Sequence, residues 1–156
     1  MLFRSDADTL VVDKVLEEDF FSDKPLFGVW HPCHNLRMPP HDKIPGAFET
    51  NPSSLAYIDT QKEFPLIYYQ GCLWGGKIPE VLEMIDELQD RTNKDLKNNL
   101  IAVWHDESHL NKYFYQNKDK VNTLGPEYAY PEIFSKYCNF NPKIIHLAKD
   151  NSKYQQ

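Results

Sequence analysis

The sequence predicts an α/β fold, and three stretches carry that expectation. Pro25–His31, PLFGVWH, is rich in aromatic and branched residues and suits a strand. Pro79 suits the first turn of a helix in which Val81, Met84, Ile85 and Leu88 recur at helical spacing over an acidic outer face. Leu100–Tyr113, LIAVWHDESHLNKY, begins as an apolar run suited to a buried strand and changes to helical spacing at Leu110 and Phe114, with Asp106 a good N-cap. A strand running straight into a helix places Trp104, His105, Asp106 and Glu107 where α/β proteins build binding crevices. The same residues also fit a structural role, with Asp106 capping, Glu107 at the positive helix end and Trp104 in the core.

With 156 residues, 41% hydrophobic and 13% aromatic, the chain is expected to form one domain over 1–156 with a real core. A net charge of −6 without a Lys/Arg cluster argues against a nucleic-acid partner. Cys33, Cys72 and Cys138 are odd in number and widely spaced, which disfavours a disulfide framework and favours a reducing, cytoplasmic setting. No apolar run is long enough to span a bilayer, and the opening residues, with Arg4, Asp6 and Asp8, do not read as a signal peptide.

At the start, Asp6-Ala7-Asp8 follows an apolar opening. Residues two apart on an extended strand point to one side, so both carboxylates face a single cation such as Mg²⁺ or Mn²⁺, which completes its shell with substrate phosphates and water. An acidic pair at a strand end also serves as plain turn chemistry. Val11–Phe21 reads as a short helix. His31, Cys33 and His34, with His41 nearby, invite a zinc reading, although no second matched pair follows. From Leu36 to Ser54 the chain carries Pro39, Pro40, Pro45, Gly46 and Pro52, predicting a long loop suited to border a binding site.

Ala56–Ile58 and Leu66–Tyr69 read as strands. The second leads into Gln70-Gly71-Cys72-Leu73-Trp74-Gly75-Gly76, where small residues leave room for a ligand or for a bulge. Arg91–Asn99 reads as a polar tail and loop after the helix. Beyond the central stretch, Lys120–Leu124 and Lys143–Leu147 are strand candidates. Gly125–Glu132 is an aromatic, proline-bounded loop, and Lys149 and Lys153 lie in a polar terminus.

Taken in order, Asp6-Ala7-Asp8, PLFGVWHP, AYI, YYQGCLWGG followed by PEV, AVWHDESHLNKY and GPEY resemble glycosyltransferase family six, which includes the blood-group A and B transferases and shorter bacterial and phage members. The resemblance runs to about Lys149. It implies a GT-A fold, a mixed sheet flanked by helices, and retaining transfer of galactose or N-acetylgalactosamine from the UDP-sugar to the 3-hydroxyl of a galactoside. Position by position, it implies that Asp6 and Asp8 bind Mn²⁺ or Mg²⁺, and that His31 and Trp104 contact the acceptor. Asp106 would hold the donor sugar, Glu107 would act as nucleophile or cation stabiliser, and Lys149 would close over the diphosphate. Gln70 and Cys72 fall where the family tunes sugar choice; Cys72, larger than a glycine, leans towards galactose. Glu132 stands where animal members carry an acceptor-site aspartate, and is expected to substitute for it.

In that family a sizeable portion precedes the Asp-x-Asp strand and forms the uridine site, so the fold is expected to be incomplete at the N-terminus. Weak or absent transferase activity and self-association through an exposed sheet edge follow as expectations. Two rivals stand beside this reading. His105 and His109, four apart on a helix, have zinc-ligand spacing, but Glu107 lies two residues after the first histidine, whereas zinc hydrolases of this kind place the acid immediately after it. The second rival is a non-catalytic carbohydrate-binding or assembly module retaining only the acceptor cleft.

Overall fold

The strand predicted at PLFGVWH is β3 (Leu26–Trp30), and its alternation sorts the core onto two sides of one sheet. Leu26 packs with Tyr69, Val81, Met84, Leu110, Tyr113, Phe114 and Val121 on one side, while Phe27 and Val29 pack with Leu73, Leu124, Tyr128, Ala129 and Ile144 on the other. Gly28 faces the first group, where a Cβ would stand 2.5 Å from the Phe114 ring. The structure, a computed structural model, describes residues 1–20, 22–32, 48–60 and 66–148.

Around β3 the described chain runs β1 (Leu2–Ser5), β2 (Thr9–Val11), α1 (Glu17–Phe20), β3, β4 (Tyr69–Gly76), α2 (Ile78–Lys97), α3 (His105–Gln116), β5 (Val121–Leu124), β6 (Tyr130–Pro131) and β7 (Ile144–His146). One sheet has the order β1-β4-β3-β5, with β4 antiparallel to both neighbours and β5 parallel to β3. A smaller sheet has the order β2-β7-β6. Helices α2 and α3 contribute Val81, Met84, Leu110, Tyr113 and Phe114 to the first core, and α1 brings Phe20 to the second. This is the mixed, helix-flanked sheet expected of a GT-A-like domain.

The β3–β4 register jumps from Gly28↔Trp74 to Trp30↔Tyr69, so residues 70–73 of β4 bulge out of that ladder. A bulge re-aims backbone groups beside it, and this one turns Gly71 towards α3.

Several local expectations are corrected. The helix opening near Pro79 continues through Lys97, so residues 91–97 are helix and not a tail. Asn99 explains the stop: at φ 57° it takes the left-handed position, its N–H bonds to the Leu96 carbonyl at 3.0 Å, and the Leu100 N–H bonds to the Asp95 carbonyl at 2.9 Å. That pair closes the helix as a glycine usually does. Leu100–Val103 is not a strand, because its backbone is spent elsewhere. The Val103 N–H donates to the Glu49 carboxylate at 2.7 Å, and Ile101 is 69% exposed. Ala56–Ile58 is likewise a turn, with the Tyr57 N–H on the Ser54 carbonyl, and Leu66–Tyr68 precedes β4 as irregular chain. Asp6 and Asp8 sit in the turn after β1, not on an extended strand.

Candidate functional site

Glu107 enters the site through the first turn of α3. At its position a glutamate ordinarily reaches back to the cap N–H, but here the Ser108 hydroxyl accepts the Trp104 N–H at 2.9 Å. Trp104, not Asp106, occupies the N-cap, and His105 enters the helix at φ 52°, a left-handed conformation that non-glycine residues adopt sparingly. Glu107 is thereby free to turn towards the sheet. Its Oε1 accepts the Tyr68 hydroxyl at 2.6 Å and its Oε2 the Gly71 N–H at 2.5 Å. Burial raises its pKa, against the pull of those two donors.

Asn111, one turn further along α3, fixes the helix against β4. Its Oδ1 accepts the Tyr69 N–H at 2.7 Å, and its Nδ2 donates to the Tyr69 and Glu107 carbonyls, each at 2.9 Å. A Cβ at Gly71 would stand 3.0 Å from Glu107 Oε2, so the bulge is fitted to this carboxylate.

The acids at positions 6 and 8 lie across the same bulge. The Asp6 N–H bonds to the Cys72 carbonyl at 3.1 Å, and the Arg4 guanidinium joins Asp6 Oδ1 at 2.8 Å while also donating to the Gly71 carbonyl. Cys72 lies between the two acid groups: burial first, then Asp6 and Glu107, pushes its thiol up to about 12. One ligand atom each from Asp6, Asp8 and His146 fall within 4.8 Å of one another, the only group of three such side chains with that spacing among the described residues. Two carboxylates and an imidazole form a donor set that suits a divalent cation.

The remaining predicted residues are distributed unevenly. His31 follows β3, gives its N–H to the Tyr68 carbonyl at 2.7 Å and sets its ring 5.9 Å from that of Tyr68, the residue holding Glu107. Gln70 is buried, with Nε2 3.3 Å from the Trp30 carbonyl and Oε1 3.6 Å from Cys72 Sγ. Trp104 is 36% exposed at the start of α3. Asp106 is exposed, close enough to Glu107 for its charge to add to the upward shift of that carboxyl, and it lines a hollow with His105, His109 and Asp95. Glu132 accepts the Ala148 N–H at 2.8 Å. Lys149 and Lys153 lie outside the described residues, as do Cys33, His34 and His41 of the zinc reading. His105 and His109 belong to no group of three metal-ligating side chains among the described residues; His105 is exposed, and His109 is buried with Nε2 3.7 Å from the Asp95 carboxylate.

Sequence reasoning missed Arg4, Tyr68, Asn111 and His146. Signals for two of them existed. Arg4 alternates with Asp6, and Asn111 is four residues after Glu107 on one helix face.

The fold and this corner define the class of protein, a glycosyltransferase-like α/β domain of the GT-A kind. The model of Glycosyltransferase family 6 matches residues 3–155, and the chain belongs to that family. It is 35% identical over 144 residues to the O-antigen biosynthesis glycosyltransferase WbnI of Escherichia coli, an alignment covering 92% of this chain and 57% of that protein. Against the histo-blood group ABO system transferase 2 of Rattus norvegicus it is 35% identical over 124 residues, or 79% of this chain and 35% of the relative. Against the globoside alpha-1,3-N-acetylgalactosaminyltransferase 1 of Gallus gallus it is 35% identical over 125 residues, or 75% and 32%. The chain thus spans between about a third and somewhat over half of these relatives. No helix among the described residues is long and apolar enough to cross a membrane.

Proposed function

We propose that this chain carries the catalytic corner of a retaining hexosyltransferase, as one part of a glycosyltransferase catalytic domain. It transfers galactose or N-acetylgalactosamine from the UDP-sugar to the 3-hydroxyl of a galactoside. The observation that carries this reading is the placement of the desolvated Glu107 carboxylate and the Asp6/Asp8 acids on the two flanks of one bulge, joined through Arg4 and Gly71. Transfer with retention needs a carboxylate beside the anomeric carbon, either to attack it or to stabilise its oxocarbenium character, and an electrostatic partner for the departing diphosphate.

In this reading Glu107 is the carboxylate, held by Tyr68 and Gly71 so that it needs no reorganisation when positive charge develops. Asp6 and Asp8 would hold Mn²⁺ or Mg²⁺, which when bound supplies Lewis-acid stabilisation of the leaving UDP. Asp106 and Lys149 are assigned to the donor, Gln70 and Cys72 to the choice of sugar, and His31, Trp104 and Glu132 to the acceptor. Trp104, partly exposed, offers a flat apolar wall to a sugar ring.

The test incubates the chain with radiolabelled UDP-galactose or UDP-N-acetylgalactosamine, Mn²⁺ and galactoside acceptors, with Glu107→Gln in parallel. The chain by itself is expected to form its α-linked product only weakly, and Glu107→Gln to lower that formation about 100-fold or more, so transfer above the Glu107→Gln background supports the reading. Galactoside binding seen by saturation-transfer NMR and lost in Trp104→Ala, without any transfer by the native chain, would replace this reading with the carbohydrate-binding module. Neither binding nor transfer would overturn both.

A further inference from the structure

We propose that His146 is a third protein ligand of the divalent cation, and that its nitrogen biases the site towards Mn²⁺ over Mg²⁺. This rests on the reading that Asp6 and Asp8 hold the ion. It adds a residue distant in sequence, placed there by sheet register. β7 pairs antiparallel with β2, setting His146 opposite Thr9, and the Leu147 N–H bonds to the Asp8 carbonyl at 2.9 Å. These contacts hold the imidazole over the Asp6-Ala7-Asp8 turn, with Nδ1 3.9 Å from Asp8 Oδ1.

That separation lies within the span of about 4.2 Å available to two ligands about 2.1 Å from one ion. The three ligand atoms, all within 4.8 Å of one another, would draw together on an ion, since adjacent ligands of one octahedral ion stand about 3 Å apart. All three residues are half-buried, which reduces the water that competes with them while leaving a side open to substrate oxygens. Arg4, at 2.8 Å from Asp6 Oδ1, competes for one carboxylate oxygen and leaves the second oxygen of Asp6 to the ion. Mg²⁺ prefers an all-oxygen shell and dehydrates reluctantly, whereas an imidazole suits the later transition ions. A nitrogen at this site therefore favours Mn²⁺ selectively.

The test uses the full chain with Mn²⁺ alone. Free aquo-Mn²⁺ is followed by continuous-wave EPR to obtain affinity, and pulsed EPR of the bound ion reads ¹⁴N modulation, with histidine-¹⁵N protein as the isotope control. The native chain is expected to show histidine nitrogen coupling. His146→Leu is expected to lose that coupling, weaken Mn²⁺ about tenfold or more and change Mg²⁺ competition by less than about threefold, while Asp8→Asn weakens both ions severely. Mn²⁺ bound without histidine nitrogen coupling in the native chain, and displaced by Asp8→Asn, would overturn the role of His146 and leave the acid pair standing. Native-like Mn²⁺ affinity in Asp8→Asn, or no Mn²⁺ binding by the native chain, would overturn the acid pair and His146 together. His146→Gln, which keeps a polar side chain, gives the same readout where His146→Leu fails to fold, and histidine coupling that persists in it would overturn the assignment to His146.

Discussion

Tyr68 and Glu107 show how one hydrogen bond tunes a buried acid. Burial holds the Glu107 pKa above its ordinary value of 4.5, and the Tyr68 hydroxyl opposes that shift by donating to the charged form. Tyr68→Phe keeps the ring and removes the donor, so the Glu107 titration is expected to move further upwards. Carboxyl-carbon NMR of ¹³C-glutamate protein measures this, and an unchanged or lowered midpoint would count against the pairing. The effect on stability has a definite sign. The folded chain keeps the Glu107 proton to higher pH than the unfolded chain, so this contribution is fully present below the ordinary carboxylate range and is lost as pH rises through the raised value. Tyr68→Phe extends that window upwards, which urea denaturation at a series of pH values detects. Glu107 was legible as a candidate through the family resemblance of the string around Trp-His-Asp, while its local pattern alone fitted a plain helix end. Its partners were not, since neither a hydroxyl 39 residues away nor a backbone N–H in a bulge leaves a local pattern.

Between elements, the join of α3 to β4 matters most, and it rests on Asn111. Replacing this buried amide with leucine removes three hydrogen bonds and strands both backbone groups of Tyr69, with an expected cost of about 2 to 4 kcal/mol. Chemical denaturation measures that loss; a change below about 0.5 kcal/mol would show that α3 docks through its apolar residues alone. Element identity followed from periodicity where periodicity was strong. PLFGVWH and the Val81–Leu88 stripe became β3 and the first half of α2. The failures share a cause: at Leu100–Val103 and Ala56–Ile58, apolar composition suggested strands, but buried Glu49 and Asp95 draw the backbone into side-chain bonds. Glu49 takes the Val103 N–H and Asp95 the Leu55 N–H. Such long-range capture has no period to read. The extension of α2 to Lys97 was hidden similarly, because its final turns are polar and Asn99, not a glycine, closes the helix.

Across the whole molecule, apolar surface is concentrated beside β1 and β2. Phe3 is 59% exposed and Val11 60%, and with Met1, Val15, Phe27 and Ile144 they line a hollow of about 220 Å³. β1 is an end strand of its sheet among the described residues. Exposed apolar edges of this kind favour pairing with another chain. The chain is therefore expected to self-associate as its concentration rises, and Phe3→Asp with Val11→Asp to shift it towards monomer. Light scattering distinguishes the outcomes, and a native chain that stays monomeric throughout would refute the expectation.

A quieter feature lies at the far end of β4. Gly75 and Gly76 let both neighbouring strands close in at once: a Cβ at Gly75 would stand 2.5 Å from the Leu2 carbonyl, and one at Gly76 would run into the Pro25 carbonyl. Any side chain there acts as a wedge. It would lift β1, and with it the turn that holds Asp6, away from the bulge that faces Glu107, so two residues outside the candidate site set the gap across it. A substitution at 75 or 76 is thus expected to change the spacing between β1, β3 and β4.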